Sequence, residues 1–122
     1  MKGCRSELSG GVAVSIVVSY ERSERLHCEA VVFIDDDSGD CWQLQHELAD
    51  PPGVYGLSTG VGAAASAAVT QWRLDGADFR FVLTPRAARL FAGERVLEFT
   101  AEAADGTDLD MVQAQLRAII GG

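Results

Sequence analysis

Hydrophobic and polar positions alternate along most of the chain, and this period of two predicts a largely β structure. The clearest alternation predicts a strand at 42–48 with two different faces. One face carries Trp42, Leu44, His46 and Leu48, and the other carries Gln43, Gln45 and Glu47. Similar patterns predict further strands at 12–19, 26–34, 54–59, 69–74, 78–84 and 95–103. The sequence therefore predicts about six to seven strands, and their short connections favour a mainly antiparallel sheet.

Two helices are predicted late in the chain, one short and one C-terminal. Thr84 and Pro85 begin the short helix, because Thr suits the N-cap and Pro suits the first helical position; Gly93 ends it. Thr107 is predicted to cap the C-terminal helix, whose apolar side chains recur at helical spacing. These side chains are Leu109, Val112, Leu116 and Ile119. Both helices would pack on one face of the sheet, which gives an α+β fold.

The length of 122 residues predicts a single domain spanning 1–122, since nothing in the sequence resembles an internal linker. Residues 1–10 are polar and contain Gly and Ser, so we expect a flexible arm there. The polar segment 20–25 is predicted to be a turn, and the Gly- and Ala-rich segment 60–68 is predicted to be a loop.

The chain carries 18 acidic and 10 basic residues and a formal net charge of −8. Such a charge repels phosphate groups, so nucleic acid and anionic membranes are not expected as partners. A partner protein with a basic surface is favoured instead. The alternative that the acidic residues serve only solubility stays open. The predicted partner contacts are the clustered carboxylates of an acidic turn and of the last strand: Asp35, Asp36, Asp37, Asp40, Glu98 and Glu102.

Three cysteines cannot all pair with one another, and none occurs in a CxxC motif. A reducing compartment is the simpler inference, so we expect the protein in the cytoplasm. The beginning of the sequence lacks the apolar segment of a signal peptide, and no apolar run is long enough to span a bilayer.

No catalytic residue, metal site or cofactor site is predicted. The acidic turn fails the calcium-loop spacing because Cys41 stands where that loop needs Gly. The Gly-rich segment 60–68 contains no Lys, so it does not match a phosphate-binding loop. His46 shares a strand face with Trp42 and Leu44, which predicts a hydrogen-bonded core side chain and not a catalytic base.

The order of features from Asp36 onward is distinctive. It runs through an acidic turn, a strand at 41–46, a short strand around Tyr55 and Leu57, a Gly-rich loop, hairpin strands through 72–74 and 79–81, a helix start at 83–90, a strand at 97–99 and an amphipathic helix ending in Ile119 and Ile120. This layout, over roughly residues 30–121, resembles the immunity protein 10 family of bacterial polymorphic toxin systems. The resemblance implies a cytoplasmic antidote that binds and silences a co-encoded toxin, often a nuclease or another enzyme.

The sequence therefore predicts a non-enzymatic immunity-type protein that neutralises a cognate toxin through its acidic surface. Two alternatives stay open. One is a small acidic secretion chaperone or adaptor, a class that usually forms homodimers. The other is an α+β ligand-binding domain with a pocket around His46 and Trp42.

Overall fold

A computed structural model describes residues 16–59 and 64–121. Within these ranges the chain forms eight strands and two helices. The strands are β1 (Ile16–Ser23), β2 (Cys28–Asp35), β3 (Cys41–Glu47), β4 (Gly56–Thr59), β5 (Ala64–Ser66), β6 (Val69–Asp75), β7 (Asp78–Leu83) and β8 (Val96–Ala103). The helices are α1 (Pro85–Ala88), which a 3₁₀ turn (Arg89–Phe91) continues, and α2 (Leu109–Ile119).

All eight strands belong to one sheet in the order β5-β4-β3-β2-β1-β8-β7-β6. Neighbouring strands are antiparallel except at the centre, where β1 and β8 run parallel and pair from Ile16 with Ala101 to Val18 with Ala103. The predicted α+β fold with a mainly antiparallel sheet is confirmed, but the predicted number of six to seven strands is wrong, since the sheet has eight.

The sheet is strongly curled, and an aromatic cluster fills its concave side. The rings of Phe33 on β2 and Phe79 on β7 lie 5.3 Å apart, although two strands separate β2 from β7. In a flat sheet three strand spacings would hold them about 14 Å apart. Trp42 on β3 and Phe99 on β8 meet in the same way at 5.4 Å. The two halves of the sheet therefore face each other across one core.

The two outermost strands, β5 and β6, are consecutive in the chain and only Ala67 and Ala68 separate them. Ala67 takes a left-handed conformation with φ of 49°. The Tyr55 hydroxyl accepts a hydrogen bond from the Val69 N–H at 2.8 Å and lies 3.4 Å from the Val69 carbonyl oxygen. This corner brings the two edges of the curled sheet together.

Helix α2 packs on the concave face against β1, β2 and β3. Its buried residues are Val112, Leu116 and Ile119. The predicted apolar side of the helix is thus confirmed, but the predicted cap is wrong by one residue. Asp108, and not Thr107, is the N-cap, because the Asp108 carboxylate accepts a hydrogen bond from the Met111 N–H at 2.8 Å.

The short helix begins as predicted. The Thr84 hydroxyl accepts a hydrogen bond from the Ala87 N–H at 3.1 Å, and Pro85 takes the first helical position. The chain leaves the following 3₁₀ turn through Ala92 and Gly93, whose φ values of 57° and 88° are both left-handed. The left-handed end thus begins one residue before the predicted Gly93.

Two predictions about connections are wrong. The segment 60–68 was predicted to be a loop, but it contains the eighth strand, β5. This strand forms because its backbone pairs with β4. The predicted turn at 20–25 is mostly strand, since β1 continues to Ser23 and pairs residue by residue with β2. Glu21, Arg22 and residues 24–27 are exposed to solvent, and a polar composition fits an exposed strand end as well as it fits a turn.

Some predictions fall outside the described residues. These are the flexible arm at 1–10, the beginning of the first strand at 12–15 and the 60–63 part of the predicted loop. In the part of the chain that the structure describes, neither helix has the length and apolar character needed to cross a membrane.

Candidate functional site

Asp35 is placed differently from the other predicted contacts. Its side chain is fully buried, with 0% exposure, because it lies two residues after the core residue Phe33 and therefore points to the same side of the strand. One carboxylate oxygen accepts a hydrogen bond from the Asp37 N–H at 2.9 Å, so Asp35 shapes the acidic turn. A buried carboxylate cannot meet a partner surface, and we remove Asp35 from the predicted contacts.

Asp36, Asp37 and Asp40 are all exposed in the turn between β2 and β3. The backbone of this turn is held by a hydrogen bond from the Asp35 N–H to the Asp40 carbonyl at 2.8 Å. The Asp40 N–H also donates to the Ser38 hydroxyl at 3.2 Å. Three carboxylates therefore project into solvent from an ordered turn.

Glu102 lies at the same end of the sheet as this turn. Val17 on β1 pairs with Ile34 on one side and with Glu102 on the other, and Ile34 pairs in turn with Cys41. The four residues form one row across the convex face, because their neighbours in sequence point into the core. Strand spacing places Glu102 about 14 Å from Cys41 across this row.

The row has an apolar middle, with Glu102 at one end and the acidic turn next to Cys41 at the other. Ile34 is 42% exposed, which is high for a large aliphatic side chain, while Val17 and Cys41 are half-buried. We call this region the Ile34 surface; it consists of Val17, Ile34, Asp36, Asp37, Asp40, Cys41 and Glu102. An apolar centre with a charged rim is the usual anatomy of a protein-binding surface.

Glu98 does not belong to this surface. It lies four residues before Glu102 on β8, about 13 Å away along the strand. Its carboxylate is 3.4 Å from the Arg80 guanidinium, in an ion pair whose members are 38% and 67% exposed. An exposed pair of this kind contributes little to stability, and the structure separates Glu98 from the other predicted contacts.

A network of hydrogen-bonded polar side chains crosses strands β1, β2 and β3 at the end opposite to the acidic turn. Glu29 accepts a hydrogen bond from the Tyr20 hydroxyl at 2.7 Å, and its second oxygen is 2.8 Å from Nδ1 of His46. Nε2 of His46 faces the Pro51 carbonyl oxygen at 3.3 Å. Glu29 and His46 are 6% and 5% exposed. The prediction that His46 is a hydrogen-bonded core side chain is confirmed.

Sequence reasoning missed Glu29, although it lies two residues before Val31 and four before Phe33, both of which point inward. The same alternation therefore places Glu29 in the core. Burial, the hydrogen bond to Glu29 and the negative charge of Glu29 together raise the pKa of Tyr20 to about 12. The chain Tyr20–Glu29–His46 is thus a structural network in which each member has a partner.

The pocket expected around His46 and Trp42 by the ligand-binding alternative does not fit this packing. Both side chains are buried, and the space beside Trp42 measures about 10 Å³, no more than one water molecule needs. Within residues 16–59 and 64–121 no three His, Cys, Asp or Glu side chains converge on a position that could hold a metal ion.

A larger cleft lies elsewhere, between β6 and the C-terminal end of α2, and measures about 550 Å³. Its lining residues are Val69, Thr70, Gln71, Trp72, Arg73, Arg80, Ile120 and Gly121. Sequence analysis could not find this cleft, because it brings together segments about fifty positions apart, as the hydrogen bond from Trp72 to Gly121 illustrates.

Comparisons of the chain with protein-family models, with curated proteins and with solved structures find no match. The resemblance to the immunity protein 10 family therefore stays a prediction that rests on the order of features in the sequence. The geometry of the Ile34 surface provides an argument about function that does not depend on that resemblance.

Proposed function

We propose that this protein is a non-enzymatic, cytoplasmic immunity-type protein that binds a basic surface of a cognate bacterial toxin and thereby neutralises it. The observation that carries the proposal is the Ile34 surface. Three exposed carboxylates of one ordered turn and Glu102 rim an apolar strip on the convex side of the sheet, which no element among residues 16–59 and 64–121 covers.

The two parts of the surface would act differently in binding. Complete burial of an aliphatic side chain contributes roughly 1.5–3 kcal/mol, so burying the exposed 42% of Ile34 is worth about 1 kcal/mol. The rim carboxylates would accelerate association with a basic partner more than they would strengthen the complex. Affinity is then expected to depend on the apolar middle, and the association rate on the acidic rim.

Occlusion is sufficient for neutralisation and requires no chemical step by this chain. An enzyme that acts on nucleic acid carries a basic cleft for its phosphate groups. The carboxylates of Asp36, Asp37 and Asp40 would be attracted to such a cleft by the same electrostatic field that attracts the substrate. The net charge of −8 extends this attraction beyond the contact itself.

The acidic rim is tested by measuring association with the native toxin partner, which is first captured by pull-down. The test variant combines Asp36→Asn, Asp37→Asn, Asp40→Asn and Glu102→Gln. The matched control makes the same change of charge at exposed carboxylates elsewhere: Glu21→Gln, Glu47→Gln, Asp75→Asn and Glu94→Gln. At low salt we expect the test variant to associate at least about tenfold more slowly than the control variant. High salt should reduce this difference, because it screens exposed charges.

The apolar middle is tested separately by Ile34→Ser, with Val54→Ser as the control because Val54 is also exposed, at 51%. We expect Ile34→Ser to raise the dissociation rate and Val54→Ser to leave it unchanged. Equal association rates for the two four-site variants, together with an unaltered dissociation rate for Ile34→Ser, would exclude the Ile34 surface as the interface.

A further inference from the structure

The outer edge of β6 is one end of the sheet. Strand β6 stands last in the strand order and pairs with β7 on one side. A two-residue turn joins the two strands, so Asp75 and Asp78 exchange main-chain hydrogen bonds, and this bonding recurs at every second residue. The main-chain groups of Arg73 therefore bond to β7, whereas those of Trp72 and Leu74 face outward.

Both ends of this outer edge are capped by side chains, but its middle is not. The Leu74 carbonyl accepts a hydrogen bond from the Gln113 side chain of α2 at 3.4 Å. At the other end, the Val69 N–H donates to the Tyr55 hydroxyl at 2.8 Å. Between these caps, the main-chain N–H and C=O of Trp72 form no hydrogen bond within the described part of the chain. Unpaired main-chain groups on a sheet edge are a template for another strand.

The cleft between β6 and α2 runs along this edge. Five consecutive residues of β6, at 69–73, line the cleft, so side chains from both faces of the strand border it. Ile120 and Gly121 line it from the end of α2, and the Trp72 indole N–H donates to the Gly121 carbonyl at 2.8 Å. The cleft measures about 550 Å³, so there is room beside the uncapped middle of the edge.

The charges on the outer face of the sheet form a row that stops at this edge. Glu98 on β8 pairs with Arg80 on β7, and Arg80 pairs in turn with Arg73 on β6. Glu98 is 3.4 Å from Arg80, whereas no carboxylate oxygen among residues 16–59 and 64–121 lies within 4.0 Å of the Arg73 guanidinium. Opposite charges on directly paired positions stabilise a sheet, and like charges destabilise it. An acidic residue opposite Arg73 would therefore stabilise an added strand.

The position opposite Trp72 has a different environment. Successive residues of a strand alternate between its two faces, so a residue placed there would point to the same side as Trp72. Phe81, which pairs with Trp72, is buried on that side. Ile120, which also lines the cleft, packs against the same core. An apolar residue is therefore favoured opposite Trp72.

We propose that β6 binds an extended segment of a partner protein as a ninth strand, with an acidic residue opposite Arg73 and an apolar residue opposite Trp72. Main-chain hydrogen bonds to Trp72 provide affinity, and the two side-chain positions provide specificity. The inference does not depend on the Ile34 surface, because the acidic turn of that surface joins β2 and β3.

A second copy of this chain, pairing through its own β6, fits this edge poorly. The one acidic residue of β6 is Asp75. Antiparallel pairing that places Asp75 of one copy opposite Arg73 of the other is centred on Leu74, whose carbonyl already accepts the Gln113 side chain. The partner is therefore a different protein.

The site is tested with the full chain and the blocked peptide acetyl-Thr-Glu-Val-Glu-Thr-amide, which carries a glutamate on either side of its valine. NMR measures the hydrogen exchange of single main-chain amides. In the free chain we expect the Trp72 amide to exchange faster than the Arg73 amide, which bonds to β7. At about 10 mM peptide and a millimolar Kd, exchange at Trp72 should slow about tenfold, because only the unbound fraction exchanges.

Three changes distinguish strand addition from non-specific attachment. Methylation of the valine nitrogen removes the N–H that would donate to the Trp72 carbonyl, so it should weaken binding about tenfold. A peptide with lysine in place of both glutamates should bind at least about threefold more weakly, although the net charge of −8 attracts it. Arg73→Glu should reverse this preference, whereas the control Arg86→Glu, at an exposed arginine on α1, should retain it.

Four results would overturn the proposal. In the free chain, the Trp72 amide could exchange as slowly as the Arg73 amide, which would show that the edge is not open. The glutamate peptide could leave the exchange of Trp72 unchanged, or the N-methylated peptide could bind as tightly as its parent. Finally, Arg73→Glu could still prefer the glutamate peptide to the lysine peptide.

Discussion

Replacement of Glu29 by alanine is expected to lower the free energy of unfolding by about 3–5 kcal/mol. The Glu29 carboxylate lies between β1 and β3 and accepts hydrogen bonds from Tyr20 and His46 at 2.7 and 2.8 Å. Each hydrogen bond to a charged group contributes roughly 1.5–3 kcal/mol, so the two together give about 3–6 kcal/mol. Since Tyr20 is only half-buried, water can replace part of its bond, which favours the lower part of that range.

Glu29→Gln should cost less, about 2 kcal/mol, because neutral hydrogen bonds contribute roughly 0.5–1.5 kcal/mol each where bonds to a charged group contribute roughly 1.5–3 kcal/mol. The glutamine carbonyl can still accept the Tyr20 hydroxyl, and its amide can donate to Nδ1 of His46. Nε2 of His46 then carries the proton and donates to the Pro51 carbonyl, which lies 3.3 Å away. Every polar atom of the network retains a partner in this arrangement, so Glu29→Gln is expected to lose less stability than Glu29→Ala.

The assay is urea unfolding at neutral pH, followed by circular dichroism, with an unchanged dependence on denaturant as the check that one transition is compared. Glu47→Ala is the matched control, because Glu47 is an exposed carboxylate on the adjacent strand β3 and should change stability by no more than about 0.5 kcal/mol. If Glu29→Gln destabilises the fold as much as Glu29→Ala does, the hydrogen-bond explanation is refuted. A loss below about 1 kcal/mol in Glu29→Ala would refute it as well.

Two further predictions concern single groups. The folded-state pKa of Tyr20, about 12, exceeds its ordinary value of 10.0. The contribution of the protonated Tyr20 hydroxyl to folding stability is therefore complete below pH 10 and is lost as the pH rises toward 12. Tyr20→Phe should therefore flatten the alkaline fall in the urea midpoint, and an equally steep fall would contradict the assignment. Asp108→Ala should destabilise the protein by about 1 kcal/mol because α2 loses its cap, whereas Thr107→Ala should have less than half that effect. Thermal unfolding measures both, and a reversed order would restore Thr107 as the cap.

The parts of the fold that depend on local periodicity could be predicted from the sequence. Alternation identified the buried faces of β3, β7 and β8, and helical spacing identified the buried side of α2. Strand β5 could not be predicted, because alanine and serine favour no strand by themselves and Ala64–Ser66 becomes one through pairing with β4. The parallel contact of β1 with β8 also leaves no local trace in the sequence.

Some features of the candidate site could likewise be predicted from local sequence, and others could not. The exposure of Asp36, Asp37 and Asp40 follows from their position in a polar turn. The burial of Asp35 could have been predicted by counting two residues on from Phe33, since the strand continues through Asp35. The joining of Glu102 to the acidic turn could not be predicted, because it depends on which strand lies next to β1.

The parallel pairing at the centre of the sheet has a consequence for biosynthesis. Ile16 meets its partner Ala101, which is 85 positions later in the chain. A ribosome therefore synthesises β1–β7 before β8. Until β8 emerges, the edge of β1 that does not pair with β2 lacks its partner strand. Contacts between segments so distant in sequence slow folding and expose unpaired edges during it. Nascent chains of this protein are thus expected to depend on protection by chaperones until β8 has been translated.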